Sequence, residues 1–167
     1  IVEINMKELG VILNNIRSCH NVGSILCTAE FFGFKKVWFV GVTPYPTLKN
    51  DQRLPHVSEK LNQQITKVSL GAENNLEMEH CEDLESLVEK LKNEDWYITA
   101  LEQDETSTDL SSFNTDKNKI YIVLGTEVTG LDKSDLDLMD EIIEIPRTGT
   151  KESLNVSVAF GIIGATF

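Results

Sequence analysis

Three short loops of the chain hold the residue types that can bind a polar ligand. Asn21, Glu127, Ser153 and Asn155 fall in or beside three short stretches, residues 15–24, 125–130 and 146–155, each rich in Gly, Ser, Thr or Asn. Each stretch follows an apolar run that reads as a strand. The three loops therefore gather at the carboxyl ends of strands, where open α/β sheets bind ligands. Small residues there let backbone amides come close to a ligand. His20, next to Asn21, could be read as a general base. The same residue types have ordinary uses. Asn21 and Ser153 can cap helices, Asn155 can satisfy buried backbone, Glu127 can serve a structural ion pair, and His20 can cap or pack.

Familiar phosphate cradles are missing. There is no G-x-G-x-x-G after the first strand, and residues 125–130 lack the Lys that completes a P-loop. Cys19, Cys27 and Cys81 form no CxxC pair, so neither a disulfide framework nor a metal site is expected. They read as reduced thiols of a cytoplasmic protein. No apolar run approaches the roughly 18 residues of a membrane span, and no secretory signal pattern opens the chain. The chain starts at Ile1 rather than Met, which suggests missing residues ahead of it.

The net charge of −12 argues against a protein that coats nucleic acid generally. It leaves room for a local RNA site. Acids concentrate in residues 73–105 and 132–144, whereas Arg17, Lys35, Lys36, Lys49, Arg53, Lys60, Arg147 and Lys151 lie elsewhere.

The elements that position these loops alternate along the chain. Strands are expected at residues 10–16, 36–42, 76–81, 96–101, 119–124 and 142–145. Helices are expected from Asn21 to about Phe32, over 57–70, 82–95 and 132–139, and from Ser153 or Asn155 to Phe167. The helix over 82–95 is the clearest, because Leu84, Leu87, Val88 and Leu91 recur at helical spacing. Residues 106–119 are polar and read as a surface loop. The expected fold is α/β: about six mostly parallel strands with helices on both faces, in one domain over residues 1–167.

The three loops carry a resemblance. Residues 14–25 (NNIRSCHNVGSI) resemble the first motif of the SpoU-type RNA 2′-O-ribose methyltransferases of the SPOUT superfamily. Residues 124–131 (LGTEVTGL) resemble the second. Ile145-Pro146-Arg147, followed by residues 153–159 (SLNVSVA), resembles the third. Three motifs in order, each at a strand end, cover nearly the whole chain.

The resemblance implies a deep trefoil knot in the C-terminal half and a homodimer with each active site near the interface. It implies methyl transfer from S-adenosylmethionine to a ribose 2′-hydroxyl of tRNA or rRNA, with no metal and no membrane partner. Leu101, Gly125, Ile145, Pro146, Ser153 and Leu154 would hold the cofactor, with residues 100–102 forming one wall. Asn21 would organise the substrate end, Glu127 would fix the second loop, and Ser153 and Asn155 would line the catalytic pocket. Arg17, Arg53, Arg147 and Lys151 would meet RNA.

Three positions depart from the family pattern. Cys27 stands where the family carries an arginine that engages phosphate, and it is expected to face the substrate together with Asn21. Arg147 replaces an apolar residue, often Met, and can supply part of the missing charge. Thr126 stands where Asn is commoner. Cys27 also opens a second reading, a degenerate member that binds cofactor and RNA with little catalysis. A third is an unrelated nucleotide-binding domain whose loops match by accident.

Overall fold

The computed structural model describes residues 7–167; residues 1–6 of the expected domain lie outside the described residues. In chain order the elements are β1 (Glu8–Asn14), α1 (Cys19–Phe31), β2 (Lys36–Val40), α2 (Pro55–Ser69), β3 (Glu77–Cys81), α3 (Leu84–Asn93), β4 (Tyr97–Leu101), β5 (Thr108–Asp109), β6 (Lys119–Leu124), α4 (Lys133–Leu136), β7 (Glu141–Glu144) and α5 (Val156–Gly164). The strands form one sheet in the order β3-β2-β1-β6-β4-β7-β5, and every pair runs parallel.

The central strands are apolar along their whole length because parallel strands under helices are covered on both faces. β1 buries every residue after Glu8, and β6 every residue after Lys119. Alternate residues serve opposite cores. Val11, Leu13, Ile122 and Leu124 pack with Ile25, Ile65 and Phe160, under α1, α2 and α5. Ile12, Tyr121 and Val123 pack with Leu87, Leu91 and Leu136, under α3 and α4. Each fully buried Leu or Ile of this kind stabilises the fold by about 1.5–3 kcal/mol. At the β3 edge, the exposed Glu77 and Glu79 discourage pairing with another sheet.

Several boundaries differ from expectation. Ser18, not Asn21, caps α1: its hydroxyl accepts from the Asn21 amide at 3.2 Å, which puts Asn21 inside the first helical turn. Asn155, not Ser153, caps α5, and the helix stops at Gly164 rather than running to Phe167. α4 spans four residues because its Asp132 cap is followed by only one turn. The sheet has seven strands among the described residues. The extra one, β5, is a two-residue edge strand in the polar stretch 106–119, where side-chain patterning gives no signal.

Candidate active site

β1, β6 and β7 all end at the same edge of the sheet, so the loops that follow them meet there. Their side chains form a hydrogen-bonded chain. Asn155 Nδ2 donates to Asn21 Oδ1 at 3.1 Å, and Asn21 Nδ2 donates to Glu127 Oε1 at 3.1 Å. The Glu127 carboxylate also accepts from the Ser18 amide at 3.1 Å and the Arg17 amide at 3.2 Å. Those amides lie at the N-terminus of α1, where the helix has unsatisfied donors and a partial positive charge. Burial pushes the Glu127 carboxyl up, but hydrogen bonds from its own amide, Asn21, Arg17 and Ser18 outweigh it and hold the group below the usual carboxylate range. Glu127 is therefore ionised at neutral pH, with its lone pairs committed to the first loop.

Asn155 does two things at once. Its Oδ1 accepts from the Ser157 amide at 2.9 Å, capping α5, while its Nδ2 reaches Asn21. Capping and site-building are thus not alternatives here. Asn21 is buried at 7% exposure, so its amide depends on these two partners.

Beside this chain lies a cavity of about 490 Å³, within the range of roughly 300–1,000 Å³ usual for small-ligand sites. Leu101, Gly125, Ile145, Pro146, Ser153 and Leu154, the six residues expected to hold a cofactor, all line it. Glu127 and Glu102 line it as well. Loop 125–130 closes on itself: the Thr126 amide donates to the Gly130 carbonyl at 3.2 Å, and the Gly130 amide to the Thr126 carbonyl at 3.0 Å. A side chain on Gly125 would meet the backbone of Gly130 at 2.5 Å, so the loop can close only over a glycine. Thr126 takes part through its hydroxyl, which accepts from the Thr129 amide at 3.0 Å.

Glu102, expected as part of one wall of the cofactor site, has a second role. Its Oε2 accepts from the Leu131 amide at 3.1 Å and sits directly against Gly130, whose φ is +67°. The carboxylate ties the end of β4 to the end of loop 125–130.

The remaining expected residues separate. Arg147 and Lys151 are exposed at the cavity rim. Arg147 Nη1 donates to the Lys151 carbonyl at 3.3 Å, while Lys151 Nζ lies 3.3 Å from Glu152. Arg17 is exposed beside the Glu127 contact. Arg53 has a different occupation from the RNA contact expected of it. Its guanidinium donates to Asp51 and to the Tyr45 and Pro46 carbonyls, and lies 3.5 Å from the centre of the Tyr45 ring. Arg53 beside Asp51 holds that carboxyl far below the usual range, so the pair clasps the loop before α2.

Cys27 is exposed and does not line the cavity. The expectation that it shares a face with Asn21 is corrected by helix geometry. Six residues at about 100° each leave it roughly 120° away from Asn21 around α1. His20 is also exposed on α1, outside the cavity wall.

An all-parallel, doubly covered sheet with a loop-built cavity at its carboxyl edge defines a ligand-binding α/β domain. Comparison narrows the class. The profile of the SpoU rRNA Methylase family matches residues 8–165, and the chain belongs to that family. The chain is 26% identical over 165 residues to a tRNA (guanosine(18)-2′-O)-methyltransferase of Borreliella burgdorferi, covering 98% of this chain and 67% of the relative. It is 30% identical over 153 residues to a Staphylococcus haemolyticus protein named for the TrmH family, covering 92% and 55%. The solved structure of the A. aeolicus TrmH/SpoU tRNA modifying enzyme superposes with a TM-score of 0.76 at 23% identity, over 96% of this chain and 73% of that one. An AdoMet-bound rRNA methyltransferase from Sinorhizobium meliloti superposes with a TM-score of 0.77 at 20% identity, over 94% and 54%. The chain thus spans about half to two thirds of the length of these curated relatives.

Proposed function

We propose that this domain transfers a methyl group from S-adenosylmethionine to a ribose 2′-hydroxyl in tRNA or rRNA. The observation that carries this reading is the side-chain chain Asn155–Asn21–Glu127, which joins all three family motifs; Glu127 stands on the wall of the cavity, while Asn21 and Asn155, the latter expected to line the pocket, lie behind that wall. The name of the Borreliella burgdorferi relative supports the reaction class, and the AdoMet bound to the Sinorhizobium meliloti methyltransferase supports the cofactor.

The cavity suits that cofactor by its chemistry. Leu101, Ile145 and Leu154 offer apolar walls for a purine ring, and the Glu102 carboxylate lines the cavity beside them. When bound, S-adenosylmethionine would supply an electrophilic methyl group on a sulfonium, and its transfer to the ribose 2′-oxygen would release a neutral thioether and, to solvent water, the hydroxyl proton. The protein's own contribution is position. Glu127 already accepts three donors from the first loop, so it braces the loops instead of taking a proton. Asn21 stands between Glu127 and Asn155 at the substrate end, with Ser153 on the cavity wall. Arg147 places a cation at the rim, where Cys27 supplies none.

The proposal extends to assembly. Cys27 and Phe31 (78% exposed) on α1, with Val158 (51%) and Ile162 (39%) on α5, leave an apolar face on two packed helices. A homodimer would cover it, and Cys27 would influence an active site only across such an interface. A single domain over residues 1–167, the deep trefoil knot and a cytoplasmic location complete the reading. Insertion of β6 between β1 and β4 suits a threaded C-terminal half. No helix of the described residues is long and apolar enough to cross a membrane.

The test is single-turnover methyl transfer from labelled cofactor to bulk tRNA and rRNA, followed by nucleoside digestion. A 2′-O-methylated nucleoside is the expected product. Cofactor and RNA binding without transfer would favour the degenerate reading, and no cofactor binding by folded protein would end both.

A further inference from the structure

The chain carries a net charge of −12, yet one face escapes the acids. α1, α2 and α5 cover the same side of the sheet and contain only two carboxylates, Glu30 and Glu59. Many of the acids lie along β3, α3 and α4 and the turns around them; Glu73, just past α2, accepts a hydrogen bond from Ser69 at the end of that helix.

On α2, His56, Lys60, Gln63 and Lys67 are all exposed. At about 100° per residue they fall within roughly 60° of one another, opposite the buried Ser58, Ile65 and Ser69. The stripe is about 16 Å long at 1.5 Å rise per residue. Lys60 and Lys67 have no carboxylate within ion-pair distance among the described residues. Both are therefore free to meet an outside anion. Lys49, exposed in the loop before α2, also lacks such a partner among the described residues.

The stripe is tied to the active-site edge. α2 follows β2, so its first turn lies at the carboxyl edge of the sheet and the helix runs back from it. The loop between them is bonded to the first motif. The Val42 amide donates to Asn15 Oδ1 at 3.1 Å, and the Ile16 amide donates to Thr43 Oγ1 at 3.1 Å. β2 stands two strand spacings from β6 in the sheet, about 10 Å. A strand of RNA with its reactive ribose at the cavity therefore needs only a few nucleotides to reach α2.

We infer that the outer face of α2, through Lys60 and Lys67 with Lys49 ahead of them, docks the sugar–phosphate backbone of the RNA flanking the modified nucleotide. This rests on the proposed RNA methyl-transfer function. Contacts of this kind carry no sequence information and fix register.

The experiment uses the full chain and bulk tRNA, with affinity measured by fluorescence anisotropy over a range of salt. Lys60→Gln with Lys67→Gln removes two charges and keeps good helix formers. A control pair, Lys117→Gln with Lys133→Gln, changes net charge equally on other surfaces. The α2 pair is expected to lower the slope of log affinity against log salt by about 1.4–1.8, at roughly 0.7–0.9 per phosphate contact. Cofactor affinity is expected to stay unchanged, which reports intact folding. Equal effects of the two pairs, or none from the α2 pair on RNA that the wild type binds and methylates, would overturn the α2 inference alone. A wild type that binds no RNA would overturn the functional reading and this inference with it.

Discussion

Replacing Glu127 by Gln isolates the charge that holds the three loops together. The two side chains have nearly the same shape, but Gln keeps one acceptor oxygen and turns the other into a donor. With its oxygen placed to accept from Ser18 and Asn21, its NH₂ faces the Arg17 amide, now 3.2 Å from Oε2. The variant loses charge-assisted bonds to two amides and gains a donor–donor contact. A hydrogen bond to a charged group contributes about 1.5–3 kcal/mol, and partial exposure puts the total near the lower end, about 2 kcal/mol. For a chain of this size that is a fall in Tm of roughly 4–8 °C. Urea unfolding at pH 7 reads the difference directly. The pH dependence checks the cause. The folded Glu127 carboxyl is depressed, so its contribution is complete above its ordinary value of 4.5 and fades as pH falls through the folded value. The gap between wild type and Glu127→Gln is thus expected to close at acid pH. A gap that persists unchanged there, or none at pH 7, would refute the account of Glu127 as an ionised brace.

Gly125→Val is expected to abolish cofactor binding in calorimetry by a different route from simple occlusion: the new Cβ meets the Gly130 backbone, an overpacking cost of about 1–3 kcal/mol. A folded variant with wild-type cofactor affinity would defeat that. Arg147→Ala with Lys151→Ala is expected to weaken RNA binding and flatten its salt dependence by up to about 1.8 in slope, with an unchanged slope meaning no phosphate contact at the rim. Ile162→Glu, which puts a charge on the exposed apolar face of α5, is expected to convert a dimer to a monomer in light scattering. A wild type that is already monomeric with cofactor present would remove the dimer from the proposal.

Much of this protein could be read along the chain because the signals are local. The apolar runs at β1 and β6 mark strands covered on both sides, the spacing of Leu84, Leu87, Val88 and Leu91 marks α3, and polar loops at strand ends mark the site. Side-chain fate was less legible. Arg53 looked like a free cation until the fold set Asp51, Tyr45 and two carbonyls around it. Asn21 could have served as a helix cap instead of a site residue; the Ser18 cap three residues earlier places it inside the helix.

The sequence by itself determined the family motifs and the α/β alternation, since each depends on residues close together in the chain, and the resemblance carried by those motifs pointed to six of the residues on the cavity wall. Only the tertiary structure decided the strand order and the joining of the motifs. Parallel strands pair across long sequence separations, and nothing in the β1 or β4 sequence says that β6 enters between them. Asn155 and Asn21 are 134 residues apart, and Asn21 and Glu127 are 106 apart. Their hydrogen bonds exist because three strands end at one edge of one sheet, a condition that the packing of the whole chain imposes and no single segment contains.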